Sequence, residues 1–181
     1  FGNPSSSHEY GRQAHAAVDA ARSQVADLLG CASQEVVFTG CGSEADNLAV
    51  KGVAEANRGR GNHIITSQIE HPAVLNTCRY LEQHGYDVTY LPVDEWGLVD
   101  TAAVEAAITE RTILISIMHA NNEVGTIEPI AAIGAIARSR GIPFHTDAAQ
   151  SVGKIPTKVD DLGVDLLAVA GHKLYAPKGV G

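Results

Sequence analysis

Lys173 follows a short apolar run, Leu166 to Ala170, directly after Gly171-His172 and ahead of a Pro- and Gly-rich stretch. A lysine after a strand is most often a solvated surface charge. In a desolvated pocket the same amine loses its proton and becomes a nucleophile able to form a Schiff base. Asp147 stands at the end of another predicted strand, Ile142 to Thr146, with Gln150 three positions on. An acid there is a common cap or turn former, but a carboxylate held in a partly buried site rises in pKa unless a cation or donors face it. His71, beside Pro72, could stack on a flat ligand or carry protons near neutral pH, although a structural histidine is the commoner outcome for any one of eight. Asn121-Asn122-Glu123 comes directly after the most apolar run, where an amide serves either turn chemistry or a ligand.

A fifth stretch, Gly40-Cys41-Gly42-Ser43, opens a helical pattern. Its glycines let backbone N–H groups approach an anion, Ser43 is a good N-cap, and the helix dipole points its positive end at the same place. An ordinary capped turn reads equally well from these residues alone. Gly40-x-Gly42-x-x-Ala45 also meets the loose dinucleotide fingerprint, but no acid stands at the end of the next strand, which runs into Thr66-Ser67-Gln68.

Strands and helices alternate around these residues. Val36–Phe38, His63–Thr66, Asp87–Val93, Ile113–Met118, Ile142–Thr146 and Leu166–Val169 read as strands. Helical spacing appears in Val18 to Leu29 (ended by Gly30), in the face Ala45, Leu48, Ala49, Gly52 and Val53, and in Val74 to Leu81. It recurs in Ala102 to Ile108 and in Ile130, Ile133 and Ile136, with Pro129 at the start and Gly141-Ile142-Pro143 at the end. This order predicts an α/β fold: one domain, with a mostly parallel sheet and helices on both faces. In such sheets ligands collect beyond the carboxyl ends of the strands, where all the groups above fall. A phosphate cradle, a strand-end acid, a ring-stacking histidine, an amide and a lysine at one sheet edge are the parts a pyridoxal-phosphate site requires.

Composition narrows the alternatives. The chain has 181 residues with 13 Lys and Arg against 21 Asp and Glu, a net charge of −8, which argues against a nucleic-acid surface. Cys31, Cys41 and Cys78 are widely spaced and odd in number, so neither a disulfide framework nor a zinc pair is expected, and a cytoplasmic setting fits. The longest apolar runs reach about a third of a bilayer span. No G-x-S-x-G elbow suggests a serine hydrolase. The chain opens on Phe1 and stops on Gly181, which reads as a fragment of something longer.

The motifs GNPSSSHEYG, TGCGSEADN, SQIEHPAVL, MHANNEVGTI, HTDAAQSVGK and AGHKLYAPKGVG, in order from end to end, resemble the class V aminotransferase-like family. More narrowly they resemble the cysteine desulfurases of the NifS/IscS group. The resemblance implies a fold-type I pyridoxal-5'-phosphate large domain over residues 1–181, incomplete at both ends and lacking a small C-terminal domain. It implies that Lys173 binds the cofactor, Asp147 meets the pyridinium nitrogen, Gln150 lies near the phenolic oxygen and His71 stacks and handles protons. Asn122 belongs to the cofactor and substrate pocket, and Gly42, Ser43 and His172 to the phosphate side. Ala170 stands where some members have Ser.

The implied reaction takes L-cysteine to L-alanine and passes the sulfur, as a persulfide, to acceptor proteins for iron–sulfur cluster assembly. The persulfide cysteine and a carboxylate-binding arginine are expected outside residues 1–181, so this piece alone is expected to be inactive. The resemblance also implies a homodimer. A cysteine or selenocysteine lyase, or a non-catalytic assembly module, are the alternative readings.

Overall fold

Apolar runs too short for helices form five strands in a computed structural model that describes residues 2–181. They are β1 (His63–Ser67), β2 (Asp87–Leu91), β3 (Thr112–Ser116), β4 (Phe144–Asp147) and β5 (Leu166–Ala168). All neighbours pair in parallel, in the order β2-β1-β3-β4-β5. Parallel sheets are covered on both faces, so their central strands are buried on both sides. Accordingly every residue of β1, β3 and β4 is buried.

The covering helices are α1 (Glu9–Leu29), α2 (Gly42–Ala56), α3 (Pro72–Glu82), α4 (Thr101–Ala107), α5 (Ile130–Arg140) and α6 (Val159–Leu162). Alternate strand residues point to opposite faces. Ile65, Ile115, Ile117 and Phe144 meet Val104 of α4 and Ile130, Ile133 and Ala137 of α5. On the other face Ile64 and Leu114 meet Val50 and Ala54 of α2 and Val74, Cys78 and Leu81 of α3. Leu29 of α1 packs with Ala148 and Val152 beyond β4. Gly30 (φ 74°) and Gly141 (φ 63°) end α1 and α5 in the left-handed conformation, as the sequence predicts.

Two expectations fail. Val36–Phe38 forms no strand: Val37 is 63% exposed and no described strand pairs with it. The segment still runs extended, because Thr39 and Gly181 exchange both backbone hydrogen bonds at 2.8 and 2.9 Å, but no further pairing continues that ladder. Helix α2 is also turned relative to the predicted face. Its buried stripe is Asp46, Val50 and Ala54, while Leu48 is 54% exposed. Ala45, Leu48 and Ala49 instead line an apolar cavity of about 880 Å³ that they share with Val37, Phe38 and Leu167. The helix has two apolar faces, and the one against the sheet carries a carboxylate, so hydropathy alone picks the wrong one. The strand bounds shift by one or two residues, and α6 has too few residues for a legible period.

Close packing of α5 against α6 depends on Gly134. A Cβ there would lie 2.6 Å from the Leu162 carbonyl oxygen and 2.8 Å from that of Gly163. Both obstacles are backbone, so the helices must separate to admit a methyl group. Gly134→Ala in the full-length protein is expected to lower stability by about 1–3 kcal/mol, read from the urea midpoint at unchanged slope.

Candidate active site

Beyond the carboxyl end of β4, Asp147 is 6% exposed. Its Oδ1 accepts the Ala149 N–H at 2.9 Å, its backbone oxygen accepts the His119 N–H at 2.9 Å, and it lies opposite Ala168 of β5. Among the described residues no donor reaches Oδ2. Burial pushes the Asp147 carboxyl up, while the Ala149 N–H and nearby His71 pull it back. The strand-end acid is therefore a buried group short of a counter-charge, as its position in the sequence predicts when no cation faces it.

His71 caps α3: its Nδ1 accepts the Ala73 N–H at 3.1 Å, with Pro72 at the first helical position, and the ring is exposed. With Nδ1 used as an acceptor, a neutral ring carries its proton on Nε2. Gln150 is half-buried in the turn after β4; its side-chain amide has no protein partner among the described residues, and its backbone oxygen accepts from the Lys154 ammonium at 2.9 Å.

Helix α2 begins at Gly42 behind Cys41, whose side chain makes no capping bond, so its first N–H groups are open to an anion. A Cβ on Gly42 would stand 2.9 Å from the Cβ of Ala170, so the glycine is what lets this helix start close to the end of β5. That contact, and not a strand ending at Phe38, brings the cradle to the sheet edge. Ser43 is exposed and its hydroxyl has no partner among the described residues. Glu44 turns back to accept the Gly40 N–H at 2.5 Å.

Lys173 and His172 lie on a 3-10 turn, Gly171–Leu174, and both are exposed. That exposure is not the desolvated pocket that nucleophilic chemistry asks for. The turn is pinned where the Gly171 N–H donates to the Val180 oxygen at 3.0 Å, an approach that a Cβ on Gly171 would block at 2.9 Å. Asn122 is exposed too, its amide spent on Glu123 at 2.9 Å. Its neighbour Asn121 builds the loop: Oδ1 accepts from the N–H groups of Glu123 and Val124, and Nδ2 donates to the Ile69 oxygen. The structure thus gathers Asp147 and His71, and separately the cradle and the end of β5, while Asn122 touches neither group. None of the predicted residues lines the large apolar cavity.

Sequence reasoning passed over Glu70, Asp46 and His145, although each lies inside or beside a motif singled out above. Glu70 is buried, and its Oε1 accepts the Ser67 hydroxyl at 2.7 Å and the Met118 N–H at 2.9 Å, tying the loop that carries His71 to the end of β3. Burial pushes Glu70 up to about 8, against those two bonds. Burial, then Asp147, pushes Asp46 up to about 8. An acid whose folded pKa lies above its unfolded value holds a proton that the unfolded chain has lost, so stability falls as pH rises between the two values. His145 is displaced the other way, down to about 4 by burial, and its opposing contribution is complete above its usual 6.5. Cofactor-free full-length protein is therefore expected to lose stability from pH 6.5 to 8, by up to about 1.4 kcal/mol per unit for each acid, and Glu70→Gln should flatten that slope in urea titrations.

A sequence profile described as Aminotransferase class-V matches residues 1–181. Cysteine desulfurase IscS of Pectobacterium atrosepticum is 57% identical over the whole chain, and that of Dictyoglomus turgidum 55%. The chain spans about half the length of these curated relatives, 45% and 46% respectively. Among solved structures, one titled "SspA in complex with cysteine" superposes with a TM-score of 0.97 at 50% identity, covering 100% of this chain and 52% of the other. A "NIFS-LIKE PROTEIN" gives 0.96 at 43% identity, covering 99% and 50%. The match over the whole chain, on the predicted parallel α/β sheet with its acid, histidine and glycine cradle at one edge, shows that this chain belongs to the class-V aminotransferase family.

Proposed function

We propose that the full-length protein is a pyridoxal-phosphate-dependent cysteine desulfurase, taking L-cysteine to L-alanine and releasing the sulfur as a persulfide, with residues 1–181 as its cofactor-binding large domain. The observation that carries this reading is identity of 57% and 55%, without a large gap, to proteins named cysteine desulfurase. The donor set fits the cofactor. Asp147 is a buried acid with one oxygen lacking a donor, suited to a cationic ring nitrogen. The uncapped start of α2, tight against Ala170, suits a phosphate.

In this reading Lys173 Nζ holds the cofactor covalently, and Gly42, Ser43 and His172 take the phosphate with the open N–H groups of α2. Asp147 would keep a proton on the ring nitrogen, because a lone buried anion is costly and a paired one much less so. Gln150 would donate from its free amide to the phenolic oxygen, and Asn122 would contact cofactor or substrate once it leaves Glu123. Bound pyridoxal phosphate supplies a sink for the electrons left at the substrate Cα when its proton departs. Lys173 Nζ would take up and return the proton at the substrate Cα. His71, with Nδ1 held by Ala73, offers Nε2–H and so acts first as a donor.

The three cysteines are poor candidates for the persulfide. Cys78 is fully buried in the α2–α3 layer, and burial pushes its thiol up to about 12, so it stays protonated. Burial also raises the Cys31 thiol. Cys41 is exposed, but it stands at the phosphate side of the site. The reading therefore places the sulfur-carrying cysteine, and an arginine for the substrate carboxylate, outside these residues, as the greater length of the relatives allows. Transfer to scaffold or carrier proteins for iron–sulfur cluster assembly, a homodimer and a cytoplasmic location belong to the same proposal. Among the described residues no helix is long and apolar enough to cross a membrane, and the cysteines are free.

Borohydride reduction of full-length protein loaded with pyridoxal phosphate is expected to leave one adduct, on Lys173 in the peptide map. Lys173→Ala should reduce alanine formation from L-cysteine by about a thousandfold or more, and Asp147→Ala by about a hundredfold. An adduct scattered over several lysines, or full turnover without Lys173, would sink the reading.

A further inference from the structure

The segment that carries His71 leaves the sheet with little backbone support. The Gln68 N–H donates to the Leu91 oxygen of β2 at 3.0 Å, and after it the N–H groups of Ile69, Glu70 and His71 have no partner among the described residues. Backbone bonding resumes only where α3 starts, with the His71 oxygen accepting from Val74 and Leu75 at 2.9 and 3.1 Å. His71 therefore stands between β1 and α3 at the end of three residues that no backbone ladder holds.

The same departure deprives β3 of an acceptor. Ile115, Ile117 and His119 donate toward β4, to the oxygens of Pro143, His145 and Asp147. N–H groups alternate in direction along a strand, so that of Met118 points toward β1, which has already ended at Ser67. Met118 is 2% exposed, and a buried N–H without a partner is costly. The Glu70 carboxyl takes the place of the strand that has left. Its Oε1 accepts the Met118 N–H at 2.9 Å and the hydroxyl of Ser67, the last residue of β1, at 2.7 Å. Asn121 returns the tie, its Nδ2 donating to the Ile69 oxygen at 3.0 Å. Oε1 accepts both of its bonds whether or not Oε2 carries a proton, so the anchor does not depend on the charge of Glu70.

We propose that Glu70 is the positioning residue of His71: one peptide bond away, it stands in for the missing ladder and fixes where His71 presents its ring. It does so by side-chain length and acceptor geometry, not by charge. The inference rests on the reading that His71 handles protons at the site, but the anchor itself can be observed without the cofactor. Glu70 holds the backbone on one side of His71, and the Ala73 N–H holds ring Nδ1 on the other at 3.1 Å, so the direction of Nε2 is set by both. A displacement of about 1 Å at a proton-handling group is enough to cost about a hundredfold in rate.

The test uses the full-length protein. In the cofactor-free form, Glu70→Ala should raise deuterium uptake in peptides spanning 68–76 and at Met118, with α5 unchanged. In the loaded form Glu70→Ala should lower kcat/KM for L-cysteine about tenfold or more, but less than about twofold when His71→Ala is already present. A residue that served stability alone would cost the same in both backgrounds. Glu70→Gln keeps the length and an acceptor oxygen, and should stay within about threefold of wild type. Glu70→Asp keeps the charge but falls one methylene short, so it should behave as the alanine variant does. The aspartate variant decides the matter where the alanine variant fails to fold. Equal losses in the two backgrounds, unchanged uptake at 68–76, or an aspartate variant more active than the glutamine one overturns the proposal. Full turnover in His71→Ala, with uptake still raised at 68–76 in Glu70→Ala, would instead overturn the proton-handling reading of His71 and leave the anchor standing.

Discussion

The cost of keeping a carboxylate at the dry end of a parallel sheet governs the rest of this molecule. Asp147 is fixed there by backbone bonds it cannot give up: its carbonyl accepts from His119, and the chain after it returns to β5 through Ala148 N–H to Ala168 O at 2.9 Å. One N–H, from Ala149, reaches the side chain, and that is too little to stabilise an isolated buried anion. In the proposed reading a cation at the free oxygen of Asp147 would meet that cost. Burial pushes the neighbouring acids Glu70 and Asp46 up as well, and the Asp147 charge adds a smaller contribution to each.

The surrounding scaffold makes that arrangement rigid. β1, β3 and β4 are buried throughout, so their carboxyl ends stop in register, and the loops leaving them emerge from one edge. Those loops are locked individually. Glu70 ties the segment before His71 to Met118, Asn121 ties its own loop to Ile69, and the Ala73 N–H fixes the tautomer of His71. These bonds are local and directional, and they hold functional groups on loops to the precision of the sheet beneath them. The exposed Lys173 turn is the exception: it is held through Gly171 and Val180, and its amine is open to solvent.

Most of the architecture was legible from the sequence. The segments read as strands at 63–66, 113–118 and 142–146 overlap β1, β3 and β4, Gly30 and Gly141 marked real helix ends, and Pro72 marked a real start. The placement of candidate residues such as Asp147 beyond the strand ends was legible for the same reason, because a polar residue at the end of a parallel strand has one edge to occupy. The failures share a cause. Val36–Phe38 has strand composition, yet pairing is a property of two segments, and beyond Thr39 and Gly181 no described residue continues it. The face of α2 was misassigned because a burial pattern was inferred from hydropathy, and Asp46 breaks that inference.

The sequence by itself determined the alternation of elements, the parallel sheet and the residue types gathered at its edge, because periodicity and chain punctuation are local properties. Only the tertiary structure decided which of two apolar faces α2 turns inward, that His145 and Asp46 meet across layers, and that Asp147 is left short of a partner. Those outcomes depend on which atoms share a buried volume, and so on the balance between desolvation and pairing. Groups 99 positions apart in the chain, Asp46 and His145, then come within 3.6 Å of each other, which no local pattern encodes.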